Sequence, residues 1–255
     1  MIAGPSPFAK GAPLATLIHL SYSPWSEKAR WALDHHHLQV KRVHYTPMLG
    51  EPGLRLRLGK LRGKVTVPVL IDGRDRIEDS LGIARWAEAQ GQAAPLFPEK
   101  EHERLEELVA CSERIMALGR ERATAVVSAN PKALRESVPA PLNRVAPVAR
   151  VVGFFGVRYL RSKYVLSDNT PERIEEQMRP LLTQVRDALA ERPYLLTDFS
   201  FADIAVAAAL QFVSPVSGRY IRLGTASRGA WTSAPLAESF RGLLDWRDEL
   251  YEDRR

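Results

Sequence analysis

At 255 residues, 45% of them hydrophobic and 26% charged, the chain can bury an ample core as one large or two modest domains. Its single cysteine, Cys111, excludes an intrachain disulfide and a cysteine metal cluster, which fits a reducing compartment. The net charge of +6 favours anionic partners, but the bases are scattered among thirty acids, so a small anionic ligand suits it and no nucleic-acid partner is expected.

Residues 1–13 carry Gly4, Pro5, Pro7, Gly11 and Pro13 without an apolar segment, and are expected to form a flexible tail rather than a signal peptide. Residues 15–20 are a short apolar run of strand character. Residues 24–36 show helical periodicity through Ala29, Trp31, Ala32 and Leu33. Residues 40–45 alternate as a second strand, and the basic, glycine-bounded stretch 50–63 holds a short helix. Residues 66–72 form a third strand with Pro68 inside it, and Asp72-Gly73 turns into a fourth that ends near Ile77. Asp79 or Ser80 then caps a helix through Leu81, Ile83, Ala84, Trp86 and Ala87. Pro95 and Pro98 mark a linker, after which no strand pattern is present.

The rest reads as helix. Residues 99–128 form one long stretch, 131–164 are broken by Pro139, Pro141 and Pro147, and 171–191 open on a proline suited to a first turn. Residues 202–212 are almost wholly apolar, the mark of a helix buried on all sides, and 233–251 close the chain. No run reaches the roughly 18 apolar residues that a membrane span needs, so no integral membrane segment is expected.

Three sites carry chemistry. In Ser23-Pro24-Trp25-Ser26, Ser23 is placed as an N-cap, Pro24 sits at the first helical position and Glu27 lies in the first turn. A good helix start explains these residues as well as function does. Val67-Pro68 enters the third strand, where a cis bond leaves the Val67 N–H and C=O free for an extended peptide ligand. Glu78-Asp79-Ser80 precedes the third helix, where a hydroxyl, free amides and an acid suit an amino-acid head group, or simply cap the helix.

The order of these sites resembles the N-terminal domain of the glutathione transferases, which is thioredoxin-like. The stretch Phe199-Ser200-Phe201-Ala202-Asp203-Ile204-Ala205 resembles the capping box of the buried helix in that family's second domain. The likeness spans roughly residues 14–253. It implies an α/β plus all-α fold: a mixed four-stranded sheet in a glutathione-binding domain at 14–91, a linker at 92–98 and a helical bundle at 99–255. It also implies glutathione as a substrate, a small hydrophobic electrophile, no metal, a homodimer and a cytoplasmic location.

Residue by residue, the resemblance makes Ser23 the catalytic donor to the glutathione sulfur. With the helix N-terminus, it favours the nucleophilic thiolate. Ser26 stands where a thioredoxin keeps its second cysteine, so dithiol exchange and a mixed disulfide are excluded there. Tyr22 is a second candidate donor, set back because a strand residue beside Ser23 points the other way. Trp25 and Ser26 complete the secondary candidates. Val67, with Pro68, would pair with the cysteinyl backbone, Asp79 and Ser80 would hold the γ-glutamyl head, and Lys64 would meet the glycyl carboxylate. The alternatives are glutathione-dependent isomerisation, dehalogenation or peroxide reduction, and a non-catalytic binding or scaffold protein on the same fold.

Other features read as structure. His35-His36-His37 end a helix and point in three directions, so they cannot chelate one metal together. Cys111 sits among apolar helix residues as inert core. Residues 151–157, followed by Arg158, Arg161 and Lys163, read as a buried helix feeding the acceptor pocket in preference to an interfacial membrane anchor.

Overall fold

The computed structural model describes residues 14–47, 49–139, 142–164, 166–167 and 169–255, so the tail expected at 1–13 lies outside the described residues. The first elements are β1 (Thr16–His19), α1 (Pro24–His35), β2 (Lys41–His44), α2 (Glu51–Leu58), β3 (Val69–Asp72), β4 (Asp75–Ile77) and α3 (Ser80–Gln90). Their order is the one read from the periodicity. The strands form one mixed sheet in the order β2-β1-β3-β4, with β1 and β2 parallel and the other pairs antiparallel. β3 begins three residues later than expected because Pro68 has no N–H to give the ladder.

The described residues beyond α3 carry no strand. They form α4 (His102–Ala129), α5 (Pro131–Glu136), α6 (Ala146–Tyr164), α7 (Pro171–Leu189), α8 (Phe201–Ala209), α9 (Thr225–Trp231), α10 (Ala234–Ser239) and α11 (Arg241–Arg254). Every residue of α8 is buried, and α8 packs against α4 and α1, so the helical part is built around it. Its start closes as a capping box: Asp203 accepts from the Ser200 N–H at 2.8 Å and the Ser200 hydroxyl at 2.9 Å, and also from the Leu195 N–H at 2.8 Å. Burial pushes the Asp203 carboxyl up to about 6 despite these donors.

Helical and sheet-bearing parts are tied through α1. The buried Glu27 accepts from Arg30 and from Arg255, and Trp31 Nε1 donates to the Arg254 carbonyl at 3.0 Å. The closing stretch differs from the single helix expected at 233–251. Phe240 leaves helical geometry (φ −121°, ψ 31°) to bury its ring, and so separates α10 from α11. The helix α9 was not legible either. The loops around it are held by arginines that donate to main-chain carbonyls: Arg122 to Thr232 at 2.9 Å, and Arg228 to Val216 at 2.8 Å and Ile221 at 3.0 Å.

The stretch 151–157 departs from its expectation. On α6 only Ala149 and Gly153 are buried, while Val151, Phe154 and Phe155 are 56%, 61% and 54% exposed. The small residues face inward because Leu134 of α5 leaves no room for more; a Cβ on Gly153 would lie 2.6 Å from its Cγ. The large side chains are therefore left facing outward.

Candidate functional site at one edge of the sheet

Strand register places the expected residues. Ile18 faces Val69 across β1 and β3, and Leu70 faces Ile77 across β3 and β4. β1 and β4 therefore run the same way and end at the edge where β3 begins. Ser23 follows β1, Val67-Pro68 precedes β3 and Glu78-Asp79-Ser80 follows β4, so all three segments meet at that edge. The N-termini of α1 and α3 open there, bringing two sets of free amides and two positive dipole ends to one place.

Ser23 is the N-cap of α1, half-buried, and its Oγ accepts from the Ser26 N–H at 3.5 Å. That long contact uses only a lone pair, so the hydroxyl proton remains available to an external acceptor. Ser26 is committed elsewhere: fully buried, its Oγ accepts from the Leu20 N–H at 3.1 Å and braces the turn into the helix. Tyr22 packs edge-on against Trp231, with ring centroids 6.2 Å apart, and burial pushes its phenol up to about 12.

The Val67–Pro68 bond is cis, and Val67 has no backbone hydrogen-bond partner among the described residues. Asp79, rather than Ser80, caps α3, accepting from the Gly82 N–H at 2.7 Å. Ser80 is the first helical residue and is buried, while Asp79 stays exposed. Glu78 pairs with Lys60. Beneath them the buried Lys28 pairs with Glu113 of α4; burial lowers its pKa, opposed by Glu113 and Asp79.

The far wall comes from the helices, and here the sequence reading missed residues. Trp25 Nε1 donates to Glu113 at 2.8 Å. Arg120 of α4 lies 4.8 Å from the centroid of Trp25 and 3.7 Å from that of Tyr164, at the end of α6. Its Nε is buried and makes no hydrogen bond among the described residues, and burial draws its pKa down. Lys64 is exposed, its ammonium 4.4 Å from the Tyr164 ring, and burial, Arg120 and Lys163 lower its pKa. Below this cluster Glu51 accepts from Tyr159, Arg55 and Lys163; burial opposes ionisation, but these donors outweigh it and hold the carboxyl at about 2. The only sequence signal for the wall is that Glu113 and Arg120 stand two helical turns apart on α4.

The edge thus joins a hydroxyl at a helix N-terminus, an unpaired backbone, a capped second helix start and an aromatic wall carrying Arg120 and Lys64. It can hold a peptide-like anion and stabilise a developing negative charge. A broad surface cleft lined by Arg192, Tyr194, Trp246 and Arg254 lies between α7 and α11 and touches none of these residues.

Residues 17–95 match the family model "Glutathione S-transferase, N-terminal domain". Solved structures extend the likeness over 90–96% of the chain. A glutathione S-transferase from Methylobacillus flagellatus with gsh bound is 17% identical, covers 94% of this chain and 95% of its own, and superposes with a TM-score of 0.57. The protein has the glutathione S-transferase fold. Glutathione transferase GSTFuA2 from Phanerochaete chrysosporium is 15% identical over 96% of this chain and 99% of its own, with a TM-score of 0.58. The enzyme CsGST63524 from Ceriporiopsis subvermispora, in complex with glutathione, is 17% identical over 90% and 97%, with a TM-score of 0.55. No curated protein matches the chain.

Proposed function

We propose that the protein binds glutathione at this edge, ionises its thiol and directs the thiolate at a small hydrophobic electrophile held against the helices. The reading rests on the meeting of Ser23, Val67 and the α3 N-terminus at one edge of the sheet. Glutathione-bound relatives of this fold support the choice of ligand. In this reading Val67 pairs with the cysteinyl backbone, and the α3 start with Asp79 and Ser80 takes the γ-glutamyl head. Lys64 attracts the glycyl carboxylate, and Ser23 donates to the sulfur. Trp25 and Tyr164 flank the acceptor. Cytoplasmic residence and homodimer assembly belong to the same proposal. One thiolate serves transfer, isomerisation, dehalogenation or peroxide reduction alike, so the electrophile decides the reaction.

The test is the titration of bound glutathione, followed by ultraviolet thiolate absorbance. The thiol is expected to ionise well below its free value of about 8.5. Ser23→Ala is expected to reverse much of that shift while leaving glutathione affinity nearly intact. A hydrogen bond to a charged group is worth roughly 1.5–3 kcal/mol, so turnover near neutral pH should fall about tenfold to a hundredfold. Losing the N-cap costs about 1 kcal/mol of stability, which a melting curve of the variant separates from the chemical effect. Supplied with oxidised glutathione, Ser23→Cys should exchange into a mixed disulfide and release one reduced glutathione. Superimposable titrations of wild type and Ser23→Ala would remove Ser23 from the mechanism.

A further inference from the structure

Two segments of the chain are basic and free of acids. Residues 52–71 hold Arg55, Arg57, Lys60, Arg62 and Lys64, and residues 137–167 hold Arg144, Arg150, Arg158, Arg161 and Lys163, with no Asp or Glu in either. The remainder has 26 cations against 30 acids, so the positive charge of the protein is concentrated in these two places. They are neighbours: Glu51 of α2 accepts from Tyr159 and Lys163 of α6, and Lys64 lies on the Tyr164 ring.

The same segments expose apolar side chains. On α6, residues 148, 151, 154, 155 and 158 share one face at helical spacing, opposite Ala149 and Gly153. Its centre is Val148, Val151, Phe154 and Phe155, all exposed, with the two phenyl rings edge to face at 5.7 Å. Arg150 and Arg158 are exposed on or beside it. On the α2 side, Leu56 and Leu61 are 83% and 91% exposed. A soluble surface does not spend aromatic and aliphatic side chains this way without a partner.

We infer that the outer face of α6, with the exposed leucines of the α2 segment, docks on a membrane surface rich in anionic lipid. An apolar centre with arginines and no acids fits an interfacial helix, whose rings enter the acyl boundary while guanidinium groups meet lipid phosphates and carboxylates. No helix among the described residues is long and apolar enough to cross a membrane, so the contact is peripheral. A second copy that set this face against its own counterpart across a two-fold axis would bring the α6 cations together without an acid to offset them. The end of α6 also carries Tyr164 to the wall of the candidate site, so docking places that wall near the lipid.

The test is co-sedimentation of the full chain with vesicles of phosphatidylcholine alone or with one third phosphatidylserine, without glutathione, so it stands apart from the proposed activity. Apparent affinity is expected to be at least about tenfold higher on the anionic vesicles and to fall steeply as salt shortens the Debye length. The pair Phe154→Ser and Phe155→Ser should weaken binding about tenfold or more, as should the pair Arg150→Glu and Arg158→Glu, with unchanged melting temperatures. No sedimentation, equal sedimentation with both vesicles, or binding indifferent to both pairs would overturn the inference. So would a dimer in solution that Phe154→Ser with Phe155→Ser takes apart.

Discussion

At Arg120, a guanidinium is held between two aromatic faces with one buried N–H that has no partner among the described residues. Such a group keeps its charge while losing water, so it acts strongly on a nearby anion. If glutathione sulfur lies at Ser23, two residues before Trp25, this cation helps hold the thiolate. Arg120→Met preserves much of the packing and removes the charge. It is expected to raise the thiol pKa of bound glutathione by up to about one unit, whereas Arg120→Lys should retain most of the shift. An unchanged titration in Arg120→Met would place its charge away from the sulfur. Beyond its spacing of two helical turns from Glu113, nothing in the sequence set this arginine apart from Arg114 or Arg104 on the same helix; its environment comes from α1 and α6, far away in the chain.

At the scale of elements, α4 is the shared surface between the site and the helical core. Its apolar stripe through Leu105, Leu108, Ile115 and Met116 was legible in the periodicity and is buried. Gly119 continues the stripe for a reason the periodicity does not reveal: a Cβ there would lie 2.2 Å from Phe212 Cβ, which cannot swing aside as a chain end could. Phe212 stacks on Trp231 at 4.7 Å and meets Trp25 at 6.2 Å, so a shift there reaches the site wall. Gly119→Ala gains about 1 kcal/mol of helix propensity, but overpacking should outweigh it. A net loss of roughly 1–2 kcal/mol in urea unfolding is expected, with turnover reduced as well. Greater stability of the variant would show that α4 and the turn after α8 that carries Phe212 can separate without cost.

For the whole molecule, acid sensitivity follows from buried groups. Burial, then Arg30, holds His19 at about 4, and burial, then His35, does the same for His36. Both ring nitrogens of His36 are buried without partners among the described residues. In the unfolded chain each titrates near 6.5, so between pH 6.5 and 4 the unfolded state binds more protons and stability falls as pH falls. Asp203 works the other way: its folded pKa of about 6 lies above its ordinary 3.8, so its contribution is present at low pH and lost as pH rises through 6. Two histidines outweigh one aspartate. A net loss of about 2–4 kcal/mol is expected between pH 7 and 4.5, measured by urea unfolding at each pH. Asp203→Asn should cost about 1–3 kcal/mol at pH 7, since one amide oxygen replaces two acceptors, and should steepen the acid loss. Stability that rises toward pH 5 in the wild type would contradict the histidine assignment.

The sequence by itself determined the strand and helix order of the first ninety residues, the buried helix after Ser200, and the three segments of the candidate site. These are local matters of periodicity, caps and the missing proline amide, each written within a few residues. It also placed the fold through the order of those segments. Which groups surround them was decided only in three dimensions. Arg120, Tyr164 and Glu113 reach the edge of the sheet from helices far along the chain, and only the register of β1, β3 and β4 shows that Ser23, Val67 and Asp79 share that edge. The outward face of α6 belongs to the same class. Its residues are apolar enough to be buried, and only the close approach of Leu134 to Gly153 decides which side of the helix turns inward.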